Sequence, residues 1–243
     1  MRQASFYTNL LLLSPHKRRS ILVGTAIVFL LLETILCLTV DEPLAFYTKS
    51  LDQSSPAFID FFRAITNLGL SKWYLWPCGI ATIFCAFLAR GKDVREAYRQ
   101  LFAYIGTRTL FLFATVGISG IVCDIIKPIL GRARPIMGLR DGIYGISPFT
   151  RLGFAWNSMP SGHATTAFAL ACSLTILYPR GRLLWFIFAL LVSASRVMVD
   201  AHYLSDVCAG AVLGWLTTEV FFNHGMLRIR KVIFPIDSAS NMQ

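Results

Sequence analysis

The chain has 243 residues and a formal net charge of +10, and 55% of its residues are hydrophobic while only 15% are charged. Soluble domains are usually nearer a quarter charged, so this composition favours an integral membrane protein with one helical domain over a soluble helical bundle. The basic residues cluster at the ends of apolar segments rather than along one face. The expected partner is therefore a lipid bilayer and not a nucleic acid.

Six apolar segments follow one another along the chain, and most approach the roughly 20 residues that a helix needs to cross a bilayer core. We predict membrane-spanning helices over residues 21–40, 71–89, 101–126, 163–177, 183–198 and 200–222. Asp41-Glu42-Pro43 is expected to end the first helix and to open an acidic loop, and Asp200 is expected to cap the sixth helix. The predicted fold is an all-α membrane protein with six transmembrane helices in one bundle, over residues 21–223.

The distribution of positive charge predicts the orientation of this bundle, because basic residues beside short loops tend to stay in the cytoplasm. With six spans, one side of the membrane carries most of the basic residues: Arg2, Lys17, Arg18, Arg19, Arg90, Lys92, Arg95, Arg99, Arg180, Arg182, Arg228, Arg230 and Lys231. We therefore expect both termini to be cytoplasmic. Residues 1–20 would form a cytoplasmic or interfacial segment, and residues 224–243 a cytoplasmic tail.

The opposite side, with an outer loop over residues 128–160, carries cations that this rule does not explain: Lys127, Arg132, Arg134, Arg140, Arg151 and Arg196. Binding of phosphate on the outer side would explain them. Snorkelling is the alternative for Arg196, but it predicts the cytoplasmic side. For Arg132, Arg140 and Arg151, a solvated loop face is the alternative to contact with a lipid headgroup.

Three motifs lie at this outer boundary: Lys127-Pro-Ile-Leu-Gly-Arg-Ala-Arg134-Pro135, Pro160-Ser161-Gly162-His163, and Ser195-Arg196 followed by His202 and Asp206. The second motif opens a helix, whose unpaired N–H groups and partial positive charge suit an anion. His202 and Asp206 are four residues apart, so on a helix they would share a face. The carboxylate would then fix the imidazole tautomer and leave the other ring nitrogen free to attack.

Other ionisable groups give weaker indications. His163 alone would be an ordinary interfacial polar residue, and only the surrounding cations and His202 indicate a catalytic role. Asp124 is expected either to pair with Arg108 or to tune the site. The six cysteines are spread singly and no carboxylate cluster accompanies the motifs, so we expect neither a metal nor a cofactor.

The pattern Lys-x6-Arg-Pro, Pro-Ser-Gly-His and Ser-Arg-x5-His-x3-Asp resembles that of the type 2 phosphatidic acid phosphatase family, over roughly residues 100–222. The resemblance implies a six-helix membrane core and a phosphohistidine intermediate. By position, His202 is implied as nucleophile, Asp206 as its orienting partner, and His163 as the acid for the leaving group and then the base for water. The implied phosphate ligands are Lys127, Arg134, Ser161, Gly162 and Arg196.

The expected function is that of a bacterial inner-membrane lipid phosphatase whose site faces the periplasm, with a phosphorylated membrane lipid as substrate. Extra arginines in the outer loop favour lipid A phosphate over undecaprenyl pyrophosphate or phosphatidylglycerophosphate. Two alternatives stay open: a phosphotransferase that passes the phosphoryl group to another lipid, and a non-catalytic protein that binds or transports a phosphorylated lipid. The pattern predicts no particular oligomeric state.

Overall fold

The computed structural model describes residues 15–91, 94–149 and 153–226, and within these ranges the regular structure is helical. The α-helices there are, in chain order, α1 (Pro15–Ile35), α2 (Asp41–Ser54), α3 (Pro56–Thr66), α4 (Lys72–Arg90), α5 (Glu96–Leu130), α6 (Pro135–Asp141), α7 (Gly162–Leu177), α8 (Arg182–Met198) and α9 (Leu204–Val220). Short π segments, Leu36–Val40 and Phe221–Gly225, follow α1 and α9. Most of the predicted N-terminal segment and C-terminal tail, with Lys92 and Arg151, lies outside the described residues.

Helix length and apolarity show a multi-pass membrane protein. In the described part of the chain, five continuous helical stretches are long and apolar enough to cross a membrane: Val23–Ser54, Pro56–Arg90, Glu96–Leu130, Pro179–Met198 and Leu204–Gly225. The sixth predicted span is α7, which is apolar but has only 16 residues, fewer than the roughly 20 that a bilayer core requires. The all-helical membrane fold is confirmed, and the count of six stays a prediction.

The first predicted helix does not end at Asp41-Glu42-Pro43. The π segment Leu36–Val40 joins α1 directly to α2, and Asp41 donates its backbone N–H to the Leu36 carbonyl. Pro43 is the third residue of α2, and the first turn of an α-helix is where a proline is tolerated. The expected acidic loop is therefore wrong, since α2 and α3 occupy that stretch with a single break at Ser55.

Helix α7 lies at the centre of the bundle, between α5, α8 and α9. Its buried positions are filled largely by alanine, serine and threonine, so the neighbouring helices approach closely. The approach is tightest against α9, where a Cβ on Gly210 would lie 2.5 Å from the carbonyl oxygen of Ser161 and one on Gly214 would overlap that of Thr165. Two glycines four residues apart thus bring the N-termini of α7 and α9 together.

The predicted cap at Asp200 is also wrong. Helix α9 begins four residues later, and Tyr203 is its N-cap. Asp200 instead has a positive φ of 52° in the turn after α8, and its carboxylate accepts a hydrogen bond from Thr48 of α2. This turn places His202 ahead of the helix rather than on it.

Candidate active site

His202 is held in one tautomer in the turn between α8 and α9. Its ring is 3% exposed, and Nδ1 lies 2.7 Å from the backbone carbonyl of Ser158. A carbonyl oxygen only accepts hydrogen bonds, so Nδ1 carries the proton and donates it. The lone pair of the neutral imidazole is therefore on Nε2, the nitrogen that can attack an electrophile.

The surroundings of His202 favour its neutral form. Burial lowers the pKa of His202 to about 4, an effect larger than the opposing attraction of the Asp206 carboxylate. Near neutral pH the ring is unprotonated and therefore nucleophilic. Two nearby cations, Arg134 and Arg196, lower the pKa further.

Asp206 approaches His202 in a way the sequence did not predict. The two residues do not share a helix face, because His202 precedes α9 while Asp206 is the third residue of that helix. The carboxylate turns back toward the N-cap and accepts the backbone N–H of Tyr203 at 2.9 Å. Its Oδ2 lies 3.7 Å from His202 Nδ1, which is too long for a hydrogen bond, so its influence on the ring is electrostatic.

Ser158 joins the two groups. Its hydroxyl donates to Asp206 Oδ2 at 2.5 Å, while its carbonyl accepts the His202 Nδ1 proton. The side chain is fully buried. Asp206 is therefore linked to His202 by two hydrogen bonds, both made by Ser158.

His163 is the second residue of α7 and faces the same site. The three motifs meet here, because Lys127 Nζ lies beside Gly162 and the backbone N–H of Ser161 donates to the Asp206 carbonyl at 2.9 Å. The His163 ring packs against Gly69, at the end of the short 3-10 segment after α3. A Cβ on Gly69 would lie 2.6 Å from His163 Cδ2.

Two polar atoms at this place have no hydrogen-bond partner among the described residues: Ser161 Oγ and Arg196 Nε. Ser161 is fully buried and stands immediately before α7, so its hydroxyl lies at the positive end of that helix. Arg196 is 9% exposed, and its Nη1 donates to Thr66 Oγ1 at 2.5 Å. A buried donor without a partner is costly, so these atoms are suited to a phosphate oxygen.

Lys127 completes this side of the site. Its Nζ lies 3.4 Å from the position that a Cβ on Gly162 would occupy, so the lysine stands beside the first residue of α7. The same Nζ forms a 2.8 Å ion pair with Asp124, whose side chain is 75% exposed. Asp124 therefore pairs with Lys127 and not with Arg108, whose guanidinium stacks on the Tyr104 ring instead.

Arg134 is tied mainly to the outer loop. Its guanidinium donates to the carbonyl oxygens of Phe154 (2.8 Å), Ala201 (3.0 Å) and Asn157 (3.3 Å), and it stacks on the Phe154 ring. Through these bonds Arg134 fixes the loop against the turn that carries His202. Three of its five N–H donors are used, which leaves two for an anion.

Arg132 is neither a solvated loop residue nor a contact for a headgroup. It is 8% exposed and forms ion pairs with Asp41 at 2.7 Å and with Asp206 at 2.5 Å. Arg140 is exposed and paired with its neighbour Asp141. The interpretation of Arg132 as a possible headgroup ligand is therefore wrong.

Sequence reasoning missed Asp41 and Ser158 as parts of the site. Asp41 was expected to end a helix, and Ser158 was given no role. The available signal was the presence of an acidic residue beside an apolar segment, where a charge is expected to have a buried partner. The partner itself, 91 residues away, could not be identified from spacing.

Comparison with known proteins identifies the family. The model of the PAP2 superfamily matches residues 108–229. The chain is 35% identical over 173 residues to the lipid A 1-phosphatase of Rhizobium johnstonii, covering 67% of this chain and 68% of the relative. It is also 30% identical over 205 residues to the bacitracin transport permease protein BcrC of Bacillus licheniformis, covering 75% and 94%.

The fold agrees with this assignment. The crystal structure of a transmembrane PAP2 type phosphatidylglycerolphosphate phosphatase from Bacillus subtilis superimposes with a TM-score of 0.56 at 21% identity, over 83% of this chain and 94% of that one. The family model, the relatives and the arrangement of the three motifs around His202 agree, and the chain belongs to the PAP2 superfamily.

Proposed function

We propose that this protein is a membrane lipid phosphatase that works through a phosphohistidine at His202. The observation that carries the proposal is the fixed tautomer of this residue: its Nδ1–H is bound to the Ser158 carbonyl, and its Nε2 lone pair is free. Family membership and the 35% identical lipid A 1-phosphatase of Rhizobium johnstonii support an enzyme of this class.

In the first step, His202 Nε2 attacks the phosphorus in line with the bond to the lipid oxygen. The N–P bond forms while the P–O bond to the lipid breaks, and the departing oxygen takes a proton from the His163 imidazolium. Lys127, Arg134 and Arg196, with the Ser161 hydroxyl and the Gly162 N–H, would stabilise the charge on the three equatorial oxygens.

In the second step, a water molecule attacks the phosphorus of phospho-His202. His163, now neutral, accepts a proton from this water, and the N–P bond breaks to release inorganic phosphate. The Nε2 lone pair is restored, and His163 is again protonated for the next turnover. Throughout both steps, Asp206 favours the positive charge that develops on the attacked ring.

The proposed substrate is lipid A carrying a terminal phosphate. Its support is the 35% identity of the chain to the lipid A 1-phosphatase of Rhizobium johnstonii. The arginines of the outer loop lend it less support than the sequence suggested, because Arg132 is buried and Arg140 is paired. Undecaprenyl pyrophosphate and phosphatidylglycerophosphate are the alternative substrates.

We further propose six spans, with α7 as the short one, and a site that faces the periplasm from a bacterial inner membrane. The support is the position of basic residues at the end of the bundle opposite the site. Arg90, Arg95, Arg180 and Arg182 lie at helix ends away from the site, where cytoplasmic basic residues are expected. Both termini would then be cytoplasmic.

Two alternatives predict different products. A phosphotransferase would use the same phosphoenzyme and pass the group to an acceptor lipid. A non-catalytic binding or transport protein has some support from the name of the Bacillus licheniformis relative, but binding alone requires the cations and not a histidine of fixed tautomer.

The test is phosphate release by the detergent-purified protein from each of the three lipids in the presence of EDTA, with His202→Ala as the matched variant. The proposal predicts release from lipid A and none from the variant. A transferase would be shown if the substrate lost its phosphate only when an acceptor lipid was added and no inorganic phosphate appeared. Equal behaviour of the folded variant and the wild type would contradict catalysis at His202.

A further inference from the structure

Arg132 is buried between two carboxylates that come from distant parts of the chain. Its Nη2 lies 2.7 Å from Asp41 Oδ2, and its Nη1 lies 2.5 Å from Asp206 Oδ1 and 2.6 Å from Ser205 Oγ. All four side chains are less than a tenth exposed. The guanidinium is thus used to bridge α2 and α9 rather than to face the phosphate site.

Asp41 is as firmly held as the arginine. Its Oδ1 accepts the backbone N–H of Ser205 at 3.1 Å, and its Oδ2 accepts the Ser205 hydroxyl. It is the first residue of α2, directly after the π segment, and lies well before residues 108–229, which match the family model. A residue outside the matched region is therefore joined to the centre of the site.

The electrostatics of this arrangement explain why its members depend on one another. A buried charge is costly unless it is paired and hydrogen-bonded, and removing one member leaves the others uncompensated. Here the charges alternate along the line from Asp41 through Arg132 to Asp206. Asp41 shares the guanidinium with Asp206, so Arg132 neither neutralises the Asp206 charge alone nor is free to turn toward a ligand.

From Asp206 the chain of bonds continues to the nucleophile. The carboxylate accepts the Ser158 hydroxyl, and the Ser158 carbonyl accepts the His202 Nδ1 proton. The backbone N–H of Ser158 in turn donates to the Arg132 carbonyl at 3.1 Å. Arg132 therefore holds Ser158 from two sides, once through its own backbone and once through Asp206.

We propose that Asp41 and Arg132 are positioning residues for His202, acting through Asp206 and Ser158, and that the first membrane helix contributes to catalysis in this way. This inference rests on the proposed function. It assigns to Arg132 a role unlike that of Arg134 and Arg196, because neither member of the bridge contacts the substrate.

The experiment compares wild type with Asp41→Asn, Arg132→Gln and the double variant, measuring kcat and KM for phosphate release. Asp41→Asn should lower kcat about tenfold or more and change KM by less than about twofold, because a misplaced nucleophile slows the attack without weakening binding. Arg132→Gln should reduce both the yield of folded protein and kcat, since two carboxylates then lie together. The double variant restores the net charge, so its yield should recover while its kcat stays low.

The chain offers a matched control in Arg63, which also bridges two carboxylates, Asp52 and Asp60, each at 2.7 Å, but with a half-exposed side chain. The double variant Arg63→Gln with Asp52→Asn should keep wild-type kcat and KM. Wild-type kcat in the folded Asp41→Asn and double variants would overturn the inference. So would a raised KM at unchanged kcat, which would make these residues substrate ligands.

A second measurement separates this inference from the proposed function. NMR of protein labelled with 15N-histidine reports the tautomer of His202 whether or not the protein turns over a lipid. The bridge predicts the Nδ1–H tautomer in wild type and a mixture of tautomers in Asp41→Asn. An unchanged spectrum in that variant would overturn the inference, whereas a wild type with the expected spectrum but no phosphate release would contradict only the proposed function.

Discussion

At the scale of single residues, the site combines a neutral nucleophile with unpaired donors. His202 is buried, its Nδ1–H is bound to the Ser158 carbonyl, and Ser161 Oγ and Arg196 Nε have no partner among the described residues. A neutral imidazole beside preorganised donors suits attack on a phosphate, because the donors stabilise charge that grows in the transition state. The contribution of each group can be measured separately.

The pH dependence follows from the burial of His202. Burial lowers its pKa to about 4, and the ring attacks only when it is unprotonated, so the active form persists from neutral pH down to about that value. We expect the acid limb of kcat/KM, corrected for the measured titration of the substrate phosphate, to be centred near pH 4, where His202 becomes protonated. An acid limb centred near the ordinary histidine pKa of about 6.5 would contradict this assignment.

The Ser161 hydroxyl should act in the transition state. Replacing it in Ser161→Ala removes one donor at the N-terminus of α7 without adding volume, so the fold should be kept. By comparison with other donors of this kind, kcat should fall on the order of a hundredfold, with a smaller change in KM. Ser193→Ala is a matched control, since Ser193 is also buried and its hydroxyl has no partner within residues 15–91, 94–149 and 153–226, but it belongs to α8. Equal effects of the two substitutions would show that the loss is structural.

At the scale of helices, close packing aligns the ends that carry the site. Gly210 and Gly214 bring α9 against α7, and Gly69 lets His163 lie against the chain after α3. The sequence predicted α7 and α8 nearly to the residue, because each is a continuous apolar run with turn residues at its ends. It failed at α2 and at the start of α9, because both depend on tertiary contacts. Asp41, directly after the π segment, accepts a hydrogen bond from Ser205, and Asp200, in the turn before α9, accepts one from Thr48.

Substitution of Gly69 should displace His163. In Gly69→Ala the new methyl group would lie 2.6 Å from His163 Cδ2 and 2.8 Å from Val192 Cγ1, so both side chains must move. Such overpacking costs about 1–3 kcal/mol of stability, and a shift of this size in a catalytic group can cost on the order of a hundredfold in rate. Steady-state kinetics beside a thermal unfolding assay measure both effects.

The control for this substitution is Gly120→Ala on α5, where an added methyl group meets nothing within 4 Å. This variant should keep wild-type kcat and stability. If Gly69→Ala behaved like Gly120→Ala, the contact between Gly69 and His163 would have no part in placing the ring.

At the scale of the whole molecule, the three motifs meet at one end of the bundle. The resemblance of the motifs indicated the family and the residues around His163 and His202, since each motif is a short, fixed spacing that can be read directly from the sequence. The bridge from Asp41 through Arg132 was not predictable, because its members are 91 residues apart and pair only when the first helix packs beside α9. Buried charges of this kind show their partners only in the folded chain.

The orientation of the bundle can be tested with single cysteines at its two ends. We expect Ile146→Cys, exposed in the outer loop, to react with a membrane-impermeant maleimide in intact spheroplasts. Arg180→Cys, in the turn between α7 and α8, should react only after the membrane is permeabilised. The protein without either substitution controls for the native cysteines. The reverse pattern would place the site in the cytoplasm.

The measurement that tests the central claim most directly is detection of the phosphoenzyme. The protein is mixed with lipid A labelled with 32P in its phosphate, quenched in alkali to preserve phosphohistidine, digested, and its peptides are sequenced by mass spectrometry. The account predicts label on His202 that is absent in His202→Ala. In His163→Ala, which lacks both the acid for the first step and the base for the second, the label should form more slowly and, once formed, be lost more slowly. Phosphate release from wild type with no label on His202, or with label on another residue, would contradict it.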